Sequence, residues 1–367
     1  MKTHTKPLIG YTLEQLLEIQ SNFHNELEEA NNGRKTSLPY IVQQMPNASV
    51  VKGEESFQVL VIGGSVFKKA IMHREDGKLI LLKREEKNQP FFHTRDDFFS
   101  FIEKELDPEV HAIAVNFAYP LQPVFEGGKA DGVLLRSVKE HKFEGLIGKM
   151  LGREIETYFK EKHGRTLSVS VANDSVCLLL SGLTQFTSHD IAGGIVGTGM
   201  NFALFLDDNK CVNLEAANFD KFPQSDEGKD IDANSTQHGK ALFEKETSGA
   251  YLFKQFNYLT QKYGIGNPPL ASTAELDELT QSFNPEVASI AKGLLQKSAA
   301  LVACVVGGIT LFKKKDMVFV MEGSLFWNAT GYKEHVKNLM IKLVPHHNVT
   351  FAKIEDSPIF GGAKLIS

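Results

Sequence analysis

Twice along the chain a β-like run stops at a group of glycines and resumes as a second β-like run. The first copy is Phe57 to Ile62, then Gly63-Gly64, then Phe67 to Met72. The second is Gly194-Ile195-Val196, then Gly197-Thr198-Gly199, then Asn201 to Leu206. Apolar runs broken by glycine read as strands joined by tight turns. Glycine also lets a backbone approach a phosphate and present bare N–H donors. For either turn alone a plain β-turn is the favoured explanation; repetition in both halves points to two turns gripping one polyphosphate tail. Neither is a P-loop, since no G-x-x-x-x-G-K-[ST] occurs, and Gly63-Gly64 lacks the following helix of a dinucleotide fold.

A chain of 367 residues exceeds the size at which one core usually stops growing, so two lobes are expected. Thr12 and Gln15 form a capping-box pattern before a helix that runs toward Gly33. A three-stranded antiparallel meander is expected from Phe57 to Leu82, with its last strand at Lys78 to Leu82. A helix follows from Thr94 to Leu106, a strand at Ala112 to Phe117, a helix from about Glu144 to Phe159, and a strand at Leu167 to Val171. After the second glycine turn the chain reads as helical from His238 to Tyr258 and from Glu286 to Val306. Strands at Met317 to Met321 and Val349 to Ile354 flank a helix at Tyr332 to Leu343.

Asp174 follows a β-like run and precedes an apolar helix, which places a carboxylate at a sheet edge, where active-site groups converge. Its local context serves a helix cap equally well, with Ser175 the other capping candidate. Glu215 and Glu244, taken alone, read as surface carboxylates. His238, His346 and His347 lack partners at ligand spacing and no Ser-His-Asp order is present, so they read as exposed or packed histidines.

A net charge of -5 supplies no basic field for nucleic acid. Cys177, Cys211 and Cys304 are odd in number and lack metal spacing, so neither a disulfide framework nor a structural zinc is expected. No apolar leader opens the chain, and the most apolar run, Ala299 to Phe312, reads as too short to cross a bilayer. The expectation is a cytoplasmic protein with no membrane partner.

Read in order, these segments resemble the hexokinase/glucokinase family from about Leu38 to Lys364. Leu60-Val-Ile-Gly-Gly-Ser-Val-Phe-Lys68 is similar to its first phosphate loop, L-D-L-G-G-T-N-F-R. Asn116-Phe-Ala-Tyr-Pro120 is similar to its sugar loop, F-S-F-P; Lys139 falls on its T-K lysine and Asn173-Asp174-Ser175 on its N-D-T. Ile195-Val-Gly-Thr-Gly-Met-Asn-Phe-Ala203 resembles I-G-T-G-x-N-A, Asn213-Leu-Glu215 resembles N-x-E, and Phe243 to Leu252 resembles F-E-K-M-x-S-G-x-Y-L. Glu322-Gly323-Ser324-Leu325 resembles D-G-S-V, and Glu355 to Ala363 is a looser match to the terminal S-G-K-G-A-A.

The resemblance implies an α/β, two-lobed actin-like (ribonuclease H-like) fold with a ligand cleft between a small and a large lobe. Residues 1–56 would be a helical segment packed on the large lobe, 57–172 the small lobe and 173–367 the large lobe. It implies transfer of the ATP γ-phosphoryl group to a hexose hydroxyl, glucose foremost, with Mg²⁺ arriving on the nucleotide. Asp174 inherits the role of base and Lys139 adds positive charge; Asn173, Asn201, Glu215 and Glu244 become sugar contacts. Gly63, Gly64, Ser65, Gly197, Thr198, Gly199, Gly323 and Ser324 line the nucleotide. No direct side-chain metal ligand is implied, because the family's first-loop aspartate falls on Val61, and a valine cannot hold Mg²⁺ or its waters. Ala118, Val138 and Ala241 also replace polar sugar-site residues. The alternatives are therefore a catalytically impaired sugar-binding or regulatory homologue, or a kinase for a modified sugar.

Overall fold

The computed structural model describes residues 9–46, 48–51, 53–64, 66–137 and 141–367. Helix α1 (Leu13–Asn31) begins where the sequence places it, with the Thr12 hydroxyl accepting from the Gln15 N–H and the Gln15 side chain accepting from the Thr12 N–H. Strand β1 (Ile41–Gln44) was not legible in the Pro39–Pro46 loop region. Strands β2 (Phe57–Ile62), β3 (Val66–Glu75) and β4 (Lys78–Asn88) form the expected meander, but β4 runs six residues past Leu82. Its extension is largely charged, so no apolar alternation marks it; it is held in the ladder by pairing with β3.

Helix α2 (Arg95–Glu105) carries a second capping box, Thr94 with Asp97, and strand β5 (Ala112–Phe117) matches its expected span. Strands β6 (Leu121–Glu126) and β7 (Lys129–Leu134) then form a hairpin closed by Gly127 and Gly128, both at positive φ. Helix α3 (Leu151–His163) starts seven residues later than the sequence suggests. The preceding stretch needs left-handed backbone at Phe143, Gly145 and Gly148, which no α-helix accommodates. Strand β8 (Ser168–Asn173) leads into α4 (Asp174–Ser181).

Strands β9 (Ile191–Val196), β10 (Met200–Asp207) and β11 (Lys210–Asn213) follow. Helices α5 (Asp226–Ala233), α6 (Leu242–Thr247), α7 (Gly249–Tyr263), α8 (Thr273–Glu278) and α9 (Pro285–Lys313) come next. The chain closes with β12 (Met317–Glu322), α10 (Ser324–Asn328), α11 (Tyr332–Leu343), β13 (Val349–Ala352) and α12 (Ser357–Ala363). The single helix expected from His238 is two, α6 and α7, separated by extended backbone at Ser248.

The strands order as β1-β11-β10-β9-β12-β13 in one sheet, β4-β3-β2-β5-β8 in a second and β6-β7 in a ribbon. The chain divides into two compact units: residues 1–40, 194–202 and 214–352, and residues 41–193, 203–213 and 353–367. In the second unit the five-stranded sheet is antiparallel across β4-β3-β2 and parallel across β2-β5-β8. One face packs a core rich in phenylalanine, including Phe67, Phe98, Phe99, Phe117 and Phe143. Helix α12 packs on α4 so closely that a Cβ on Gly361 would sit 1.7 Å from the Cys177 carbonyl oxygen.

In the first unit α9 runs through the core against α1 and α11. It spans 29 residues, more than the apolar run Ala299 to Phe312 suggests, and is long and apolar enough to cross a membrane. Yet 89% of its most apolar window is buried inside the protein, as in the core helix of a globular unit. Cys177, Cys211 and Cys304 are buried and form no disulfide with one another.

Candidate active site

The parallel strands of the second unit end together. Pairing of Ile62 with Phe117 and of Phe117 with Asn173 brings the carboxyl ends of β2, β5 and β8 to one edge. In open α/β sheets ligands bind outside the carboxyl ends of parallel strands. That edge carries Gly63-Gly64 after β2, the loop Asn116–Pro120 after β5, and Asn173-Asp174 after β8.

Asn173 is the residue that caps α4: its Oδ1 accepts from the Ser175 N–H at 3.0 Å. The sequence offered Asp174 or Ser175 for that task. With Asn173 as the cap, Asp174 is the first helical residue, half-buried, its Oδ1 also within 2.8 Å of the Ser175 nitrogen. Asn213 Nδ2 approaches Asn173 Oδ1 at 3.5 Å. The first glycine turn is tight: Gly63 donates its N–H to the Val66 carbonyl at 3.3 Å, and a Cβ on Gly63 would lie 2.7 Å from that oxygen. Val61 is buried in β2, in register with Lys68 and Asn116. Lys139, Ser65 and Val138 lie outside the described residues.

The first unit gathers the other predicted residues. Gly197-Thr198-Gly199 joins β9 to β10, closed by a bond from the Gly197 N–H to the Gly199 carbonyl at 2.9 Å. The Gly197 and Thr198 carbonyls accept from the N–H groups of Gly249 and Ala250, at 2.8 and 3.1 Å, where α7 begins. In a planar trans peptide the C=O and N–H point in opposite directions. The N–H groups of Thr198 and Gly199 are therefore turned away from α7, and the Thr198 side chain is exposed. Gly323 lies against this turn: a Cβ on Gly197 would be 3.2 Å from the Gly323 Cα and 3.7 Å from the Ser324 nitrogen. Gly323 itself has φ +109°, and a Cβ there would meet the Val196 carbonyl oxygen at 2.1 Å. Only glycine fits such a backbone-on-backbone approach.

Glu244 Oε2 accepts from the Met200 N–H at 3.2 Å, which places this carboxylate beside the second turn. Asn201 Oδ1 accepts from the N–H groups of Phe202 and Ala216, at 2.8 and 3.1 Å, so Asn201 and Glu215 are neighbours. Glu215 and Ala241 both hold left-handed backbone, φ 51° and 49°, a conformation that costs a non-glycine residue about 1 kcal/mol or more and concentrates at functional sites. Burial, and then the Glu244 charge, hold the Tyr251 phenol above its ordinary pKa.

Sequence reasoning missed several supports. Glu246, where the quoted F-E-K-M pattern has Met, is fully buried and accepts from Lys297 Nζ at 2.6 Å; Lys297 also reaches Glu227 at 2.9 Å. This network anchors α6, the helix of Glu244. Lys245 pairs with Asp232 at 2.5 Å in the same region. The Thr273 hydroxyl donates to the Gly249 carbonyl at 2.6 Å and steadies the start of α7. Only Glu246 left a trace in the sequence, as a charge where the quoted pattern has Met. Among the described residues no group of three or more His, Cys, Asp or Glu side chains is placed to hold a metal ion.

Two sheets, each with a glycine turn, and a carboxylate at the ends of the parallel strands are features of the actin-like fold. No protein-family model matches the chain. A Schistosoma mansoni hexokinase solved with glucose superposes with a TM-score of 0.76 at 18% identity, covering 97% of this chain and 95% of that one. The ROK hexokinase of Thermus thermophilus superposes at 0.61 and 17% identity, over 84% of this chain and 97% of that one. Among curated proteins, the Kluyveromyces lactis hexokinase is 23% identical, over 96% of this chain and 86% of its own. Hexokinase-9 of rice (Oryza sativa subsp. japonica) is 28% identical over 35% of this chain, a segment that spans 29% of the rice protein. Over most of its length the chain is similar to curated hexokinases, at 23% identity to the Kluyveromyces lactis protein and 24% to hexokinase-2 of Solanum tuberosum.

Proposed function

We propose that the protein is an ATP-dependent hexose kinase with Asp174 as general base. The observation that carries this reading is the shared strand edge at which the first glycine turn, the Asn116–Pro120 loop and Asp174 meet. The Asp174 carboxylate takes the proton of a sugar hydroxyl while that oxygen forms a bond to the γ-phosphorus and the bond from phosphorus to the departing ADP breaks. Outward-turned N–H groups of Thr198 and Gly199 receive charge on the phosphate oxygens. Asn201, Glu215 and Glu244 are suited to several ring hydroxyls at once, because each offers hydrogen-bonding atoms that a sugar lacking a hydroxyl would leave unpaired. Lys139 and Ser65 are assigned by resemblance alone.

Mg²⁺ would find no side-chain ligand at Val61, and any metal would enter on the nucleotide's own phosphates. Val61 is also the observation that favours the second reading, a sugar-binding homologue with impaired transfer. Coupled detection of ADP across a panel of hexoses separates the two. Turnover that falls about 10²- to 10⁴-fold in Asp174→Ala supports the kinase. Silence with every sugar, accompanied by sugar-dependent thermal stabilisation, supports the binding protein. Turnover confined to substituted sugars identifies a kinase for a modified acceptor.

A further inference from the structure

The first glycine turn has a support that neither its motif nor the proposed chemistry explains. Gln89, immediately after β4, donates from Nε2 to the Gly63 carbonyl at 2.6 Å. The Tyr119 hydroxyl donates to the same carbonyl at 2.7 Å, and Gln89 Nε2 lies 2.8 Å from that hydroxyl. Both side chains are buried, 8% and 1% exposed. A carbonyl only accepts, so the amide must face it with its nitrogen. Gln89 Oε1 is then buried without a hydrogen-bond partner, an arrangement that calls for an explanation. Burial raises the Tyr119 phenol above its ordinary pKa, which keeps the hydroxyl protonated as a donor.

Two consecutive carbonyls at the end of β2 are thus held by two consecutive residues of the acceptor loop. Ile62 O accepts from the Ala118 N–H at 3.0 Å, and Gly63 O accepts from Tyr119. Drawing the Gly63 carbonyl into the protein turns the Gly64 N–H of the same trans peptide the opposite way. In the resembled F-S-F-P loop the position of Tyr119 is Phe, so the hydroxyl is this chain's own addition.

We propose that Tyr119 and Gln89 are positioning residues that tie the acceptor loop to the first glycine turn and aim the Gly64 N–H at the donor phosphate. The assignment of that phosphate rests on the kinase reading. Occupancy of the acceptor loop then sets the turn that grips the nucleotide, and a shift of one moves the other.

The test uses the full chain with Tyr119→Phe, which restores the motif's residue and its ring, and with Gln89→Met. Expected is a rise in nucleotide KM of about three- to tenfold in Tyr119→Phe, the worth of one neutral hydrogen bond. Acceptor KM rises too, but by less than nucleotide KM, because the lost bond joins the loop to the turn that the nucleotide meets directly. The double variant loses less than the product of the singles, since both bonds serve one carbonyl. Amide exchange in the segment 57–64 accelerates in each variant. Unchanged nucleotide KM with unchanged exchange overturns the proposal, and so does a uniform loss in both KM values and kcat that tracks Tm. If the unaltered protein turns over no sugar, the kinase reading fails by itself. Exchange and the calorimetric Kd for ADP then judge the tether: faster exchange with weaker ADP binding in Tyr119→Phe sustains it, and no change in either overturns it.

Discussion

The two glycine turns look alike in sequence and are held in different ways. Around Gly197-Thr198-Gly199 the supports are backbone: the carbonyls of Gly197 and Thr198 accept from the first N–H groups of α7, and Gly323 packs against Gly197. Around Gly63-Gly64 backbone bonds from Gly63 to Val66 and from Ala118 to Ile62 are joined by side chains, with Gln89 and Tyr119 on one carbonyl. Backbone supports leave a record as glycine, since any Cβ would collide. Side-chain supports leave none, because a Gln after a charged strand and a Tyr in a loop look like ordinary residues. The second turn is therefore rigid and intolerant of change, while the first is adjustable.

The hardest test of that contrast is Gly323→Ala. The new Cβ meets the Val196 carbonyl at 2.1 Å on a backbone with φ +109°, so chemical denaturation is expected to show a loss of more than about 3 kcal/mol. A loss below about 1 kcal/mol would mean the second turn yields as easily as the first, and the contrast would go. Gly63→Ala is expected to cost less, about 1–2 kcal/mol, because its backbone is not left-handed and the 2.7 Å contact with Val66 can open by shifting the turn.

The smallest expected effect is pH-dependent. Burial pushes the Glu105 carboxyl up, but hydrogen bonds from Lys87 and Lys69 outweigh it and hold its pKa below the ordinary carboxylate value. A depressed folded pKa stabilises above the unfolded value, and that stability is lost as pH falls through the folded value. Glu105 grips Lys87, two residues before Gln89, on the strand that delivers the first turn's support. Amide exchange followed from neutral to acid pH is expected to rise in segment 57–64 before it rises in segment 194–201. Simultaneous onset, or the reverse order, would break the distinction.

Most of the architecture was legible in the residues. A capping box at Thr12 marked one helix start, apolar runs marked β2, β5 and β12, and motif order resembled that of hexokinases. The helical reading of Glu144 to Leu151 failed because apolar periodicity continues through a stretch whose glycines need positive φ. Strand β1 and the far half of β4 escaped notice because they are recruited by their neighbours rather than by their own composition. Asn201, Glu215 and Glu244 were singled out by resemblance alone, since isolated carboxylates and amides carry no local signature, while Asp174 was also marked by its place between a strand and a helix.

The sequence by itself determined the alternation of strands and helices, the two turns and the residue types available for chemistry. It could do so because periodicity, capping and glycine act over a few neighbouring residues. Only the tertiary structure decided that Asn173 is the N-cap of α4 and that Asp174 is its first helical residue. It alone decided that Gln89 and Tyr119, 26 and 56 residues along the chain from Gly63, converge on its carbonyl. Hydrogen bonds between residues so far apart depend on how strands pair, and strand pairing is a property of the folded sheet rather than of any segment in it.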